Sequence, residues 1–139
     1  MISRIMIVSG GILTLGMAFF HQRFPKMFGW KDDFDKIGKP KGKIHYTIHL
    51  ALLLLFIGIG LLSISFSSEL SRPVGLGMGI CILISLFWLW RTIWQLLYFK
   101  LPKGPLPKAP VVMHYVMTIC FLVLTITYSY PVIEALIAK

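Results

Sequence analysis

The sequence predicts an all-α membrane protein, four transmembrane helices in an up-down-up-down bundle, and three observations predict it. Of 139 residues, 57% are hydrophobic and only 14% charged, against roughly 25% charged in soluble domains, and the mean hydropathy is +0.81. The apolar residues fall into four runs between charged punctuation, each able to supply the roughly 20 residues that cross a bilayer as helix. The runs are apolar nearly all round, as expected where no helix face meets water. No length remains for a soluble catalytic domain, so residues 1–139 read as a single integral membrane domain.

The first span is expected at about 4–22, behind the basic start Met1-Ile2-Ser3-Arg4. No small-residue cleavage site precedes His21-Gln22-Arg23-Phe24-Pro25, so the segment reads as a retained helix and not a secretory signal. The connection 23–43 opens with Phe24, Pro25, Met27, Phe28, Gly29 and Trp30, suited to lie on the bilayer with Trp30 at headgroup depth. Lys31-Asp32-Asp33-Phe34-Asp35-Lys36 follows, a solvated turn or a docking point for a partner or cation. Gly38-Lys39-Pro40-Lys41-Gly42 is expected to break any helix before the second span, 44–67. The third span covers 73–99 and holds Arg91, the one unambiguous charge inside a span. Pro102, Pro105, Pro107 and Pro110 are expected to make the second cytoplasmic connection, 100–108 and on to Pro110, stiff and extended, and the fourth span covers 109–133. The last three spans contain no acid and no lysine, and only helix satisfies their backbone groups in hydrocarbon.

The two longer connections carry Arg23 and nine lysines, against Arg4, Arg72 and Lys139 on the opposite side. The positive-inside rule therefore places both connections in the cytoplasm and both termini outside, most simply in a bacterial inner membrane. The net charge of +9 reads as this topology signal and as attraction to anionic lipids. Nucleic acid is excluded as a partner, because the basic residues sit in short loops flush with the lipid.

All four histidines fall in the leaflet on that side: His21 closes the first span, His45 and His49 open the second, and His114 lies one turn into the fourth. Arg91 and Gln95, one turn apart, reach the same layer from the third, with Tyr46, Tyr115, Trp90 and Trp94 around them. On the plainest reading these are interface anchors, and only the deeper His49 needs an internal partner. The spacing allows more. His45 and His49 share a helix face, and with His114 and His21 they suit zinc, copper or iron. Alternatively, one of them and a histidine from the first or fourth span suit haem b, with Arg91 on a propionate and Tyr46 and Trp94 packing its plane. Arg91 and Gln95 also suit a quinone oxygen. Space for such a group is available at Gly10, Gly11, Gly16, Gly58 or Gly60, residues that otherwise mark close helix contact.

Other chemistry is excluded by what is missing. Four histidines are too few for a membrane di-iron oxygenase, and no span carries the carboxylate of a proton-coupled antiporter. No C-x-x-C, G-x-S-x-G or phosphate loop occurs; Cys81 and Cys120 read as small buried hydrophobes. Gly75-Leu-Gly-Met-Gly79 marks helix packing within one bundle or between protomers of a homo-oligomer. Two functions remain in front. One is a membrane redox protein carrying haem b or a transition metal; the other is a non-catalytic accessory or scaffolding subunit of a larger membrane complex. A small oligomeric pore trails both, because no span carries a polar stripe along its length. Whether the chain is an enzyme is left open by the sequence.

Overall fold

The computed structural model describes residues 1–27, 29–72, 74–101 and 108–137. Among these every regular element is helical: α1 (Ile2–His21), α2 (Phe24–Met27), α3 (Trp30–Ile37), α4 (Lys39–Ser65), α5 (Ser67–Leu70), α6 (Leu76–Leu97) and α7 (Lys108–Ile137). Four of them, α1, α4, α6 and α7, are long and apolar enough to cross a membrane. Large apolar side chains cover their outer faces, with Leu54, Leu83 and Ile119 60% or more exposed. That surface is a liability in water and a requirement in hydrocarbon, so it is consistent with an integral membrane protein.

Each expected span is present, with ends that differ from expectation for definable reasons. The connection after α1 is not a loop but two short helices, and α4 starts at Lys39 rather than at 44. The break is made by Gly38 alone, whose φ of +91° is accessible to a residue without Cβ. Pro40 does not prolong that break, because it sits in the first turn of α4, where a helix has no use for its missing N–H. Gly42 lies inside α4 beneath Phe34; a Cβ there would sit 2.8 Å from Phe34 Cγ, so the glycine lets α3 fold down onto α4. Helix α7 runs on through Pro131 to Ile137, beyond the expected end at 133. Pro73 and residues 102–107 of the expected proline-stiffened connector lie outside the described residues, but Pro110, also expected in that connector, stands in the first turn of α7, where a proline is tolerated, and α6 begins at Leu76, later than the expected 73.

Helix α1 packs against α4 and α7, and α7 also packs against α6. Glycines set the approach. A Cβ on Gly11 would lie 2.9 Å from the Gly60 carbonyl oxygen, and one on Gly10 would lie 2.6 Å from Thr127 Cγ2. Small residues at these crossings let the helix backbones approach closely, and close van der Waals contact follows. The core centres on Trp88, fully buried and stacked between Phe56 (5.4 Å) and Phe121 (5.7 Å). Buried hydroxyls are satisfied along their own helices, Thr14 by Gly10 O, Thr92 by Trp88 O and Thr125 by Phe121 O. Ser63 bonds both Ile59 O and the Tyr128 hydroxyl, each at 2.7 Å. At the far end of the bundle the Ser3 hydroxyl donates to Glu134, and the Cys81 thiol, fully buried, donates to Leu70 O.

Candidate functional site

Because the glycine contact draws α1 against α4, the last residue of α1 lands on the histidine-bearing first turns of α4. The His21 and His49 rings stack, centroids 4.4 Å apart and 28° between planes. Helix α3, held down by Phe34 on Gly42, carries Trp30 over His45 and His49. Its ring stands edge-on to His45 at 4.5 Å and to His49 at 4.9 Å. From the other side α6 contributes Arg91 and Gln95, and α7 contributes Met113, Met117 and Phe121. Together with Phe24 and Ile48 these residues surround a cavity of about 440 Å³, within the range of small-molecule sites.

Three of the residues around the cavity carry a buried nitrogen without a partner. His21 Nε2, His49 Nδ1 and Arg91 Nε are buried and make no hydrogen bond among the described residues. His49 itself is only 4% exposed. Leaving such a group unpaired costs about 1–3 kcal/mol, and three such groups on residues that line one cavity single that cavity out. Trp88 Nε1 is also unpaired, but it lies in the stacked core and does not line the cavity.

Arg91 turns inward. Its guanidinium lies 5.0 Å from the Phe121 ring centroid and 5.8 Å from that of Trp90, a cation–π arrangement that keeps the charge beside the cavity. Among the described residues no carboxylate and no thiol lines the cavity, so Arg91 gives it a positive potential. What fits chemically is a group with electronegative oxygens, flat enough to lie among imidazole and aromatic rings.

Of the residues singled out from sequence, His21, His45, His49, Arg91 and Gln95 line this cavity. His114 does not reach the other imidazoles; the Gln95 amide donates to its Nδ1 at 3.0 Å, so His114 orients Gln95 from behind. Tyr46 is 48% exposed and lines a neighbouring cleft with Lys31 and Phe34, while Trp94, 39% exposed, stacks on Tyr98. Among the described residues no three His, Cys, Asp or Glu side chains are placed to share one metal ion. Sequence reasoning missed Trp30 as the cover of the site, having set it at headgroup depth. The available signal was Trp30 and Phe34, one turn apart, ahead of a histidine-bearing helix.

Compared with protein-family models, with curated proteins and with solved structures, the chain matches none.

Proposed function

We propose that the chain is an integral membrane protein whose imidazole cavity holds an electron-carrying group. In this reading the bundle runs up-down-up-down in a bacterial inner membrane, with the histidine layer at the cytoplasmic leaflet and both termini outside. The antiparallel course of the first two spans is supported by the pairs Arg4 with Ser67, Gly11 with Gly60 and His21 with His49, whose numbers rise on one helix as they fall on the other. The orientation is supported by Arg23 and the lysines beside the cavity side of the bundle.

The observation that carries the reading is that His21, His49 and Arg91, each with a buried nitrogen that makes no hydrogen bond among the described residues, line one cavity. The charge balance then ranks the ligands. A bare transition-metal ion would add positive charge beside Arg91 with no anionic side chain to offset it, and burying uncompensated charge is expensive. Haem b and a quinone each bring the acceptor oxygens that Arg91 lacks. Haem, which supplies one-electron chemistry when bound, would use a single protein ligand here. His21 and His49 stack face to face, so they do not bracket an iron from opposite sides. Arg91 would then hold a propionate.

The accessory-subunit reading also has an observation in its favour. A Cβ added to Gly58 or to Gly79 would meet no atom within 4 Å, which leaves two small-residue faces free for another helix. Absorption spectra of the purified protein, oxidised and reduced, with metal analysis and organic extraction, separate the two. A Soret band or a stoichiometric quinone that disappears in His49→Ala supports the redox site. A colourless protein free of metal and quinone sinks it and leaves the accessory role.

A further inference from the structure

A second cavity adjoins the first. It is a groove of about 760 Å³ between α1 and α7, lined by Gly16, Phe20, Val112, Val116, Met113 and Met117 among others, and it is apolar but for Lys108 at its margin. Met113 and Met117 line both cavities, so these two side chains are the wall between them. Methionine is unbranched and has three soft torsions, which makes it a wall that yields to a ligand without disturbing the helix behind it. Gly16 has no atom within 4 Å of where a Cβ would stand, so the groove is open there.

Resting on the redox reading above, we infer that the ligand is a lipid-soluble quinone, its ring among His21, His49 and Arg91 and its apolar tail in the groove between α1 and α7. A planar ring with two carbonyl oxygens matches the cavity: the oxygens accept from the Arg91 guanidinium and from an imidazole N–H, and Trp30 and Phe121 supply aromatic walls. The tail explains the groove, which neither a metal ion nor a haem requires. Because the groove opens on the face that meets hydrocarbon, the tail stays in an apolar medium while the ring reaches the polar atoms.

The test uses the full chain in lipid nanodiscs and two probes, menadione, a naphthoquinone ring without a tail, and menaquinone-4, the same ring with an isoprenoid tail. Binding is read by quenching of tryptophan fluorescence. Gly16→Phe and Val116→Phe, which fill the groove at two independent places, are each expected to weaken menaquinone-4 by about tenfold, the scale on which a hydrophobic pocket senses a methylene, and to leave menadione unchanged. Arg91→Gln is expected to weaken both probes. If the groove variants affect neither probe, or both equally, the groove does not hold the tail and the inference falls. If neither probe binds but the protein carries haem, the inference falls and the redox cavity stands. If neither probe binds and the protein is colourless and metal-free, both fall together.

Discussion

Replacing Gly11 by alanine perturbs the contact on which the site depends. The added Cβ would stand 2.9 Å from the Gly60 carbonyl oxygen and 3.0 Å from both Ile64 Cγ1 and Ser63 Cβ, whereas ordinary van der Waals contact begins at 3.4 Å. The oxygen belongs to the backbone of α4 and has no torsion by which to move aside, so the two helices must separate. Overpacking of this kind costs about 1–3 kcal/mol. His21 lies ten residues further along α1, about 15 Å at the helical rise, so a small rotation about Gly11 becomes a larger displacement at the imidazole stack. Reversible unfolding in mixed micelles, followed by circular dichroism, measures the loss, with Gly16→Ala as reference because its Cβ meets nothing within 4 Å. Gly60→Ala strikes the same crossing from the other helix, at 2.6 Å from Leu15 Cγ, so the double variant should cost less than the sum of the two. Wild-type stability in Gly11→Ala, or an equal loss in Gly16→Ala, would refute the glycine contact as the element that fixes α1 on α4.

Further outcomes follow from other parts of the molecule. Trp88→Ala removes the middle of three stacked rings and should cost about 3–5 kcal/mol, whereas Trp88→Phe should cost distinctly less, since it keeps an aromatic ring between Phe56 and Phe121; equal losses by the same unfolding assay would contradict the stack as the centre of the core. Outside the spans, the Ser68 hydroxyl donates to Glu69 at 2.6 Å and holds that carboxyl below the usual carboxylate range. A depressed folded value stabilises the fold above the ordinary carboxylate pKa, and the contribution disappears as pH falls through the folded value. Ser68→Ala should therefore shift the Glu69 titration upward in a ¹³C carboxyl NMR experiment, and an unmoved titration would discount the hydrogen bond. Asp35→Cys in α3 should react with a membrane-impermeant maleimide only after cells are opened; labelling of intact cells would reverse the proposed orientation.

Depth in the bundle was legible in the sequence, and rotation about the helix axes was not. The four spans, the shared level of His21, His45, His49, Arg91 and Gln95, and the pairing of residues four apart all follow from where apolar runs stop and from the helical repeat. Spans that are apolar all round carry no stripe to say which face turns inward. That information lies in small residues, and Gly10, Gly11 and Gly60 were visible as close-contact candidates without any indication of which met which. Gly38 and Pro40 were misread as one break because both are breakers in isolation, although a proline one step inside a helix favours its start. The same distinction separates His21 from His114. Both sit at the right level, but the crossing at Gly11 rotates His21 onto His49, while His114 meets Gln95 first and engages its ring nitrogen there. An inventory of residue types therefore predicts which groups share a layer, and the glycine contacts decide which of them face one cavity.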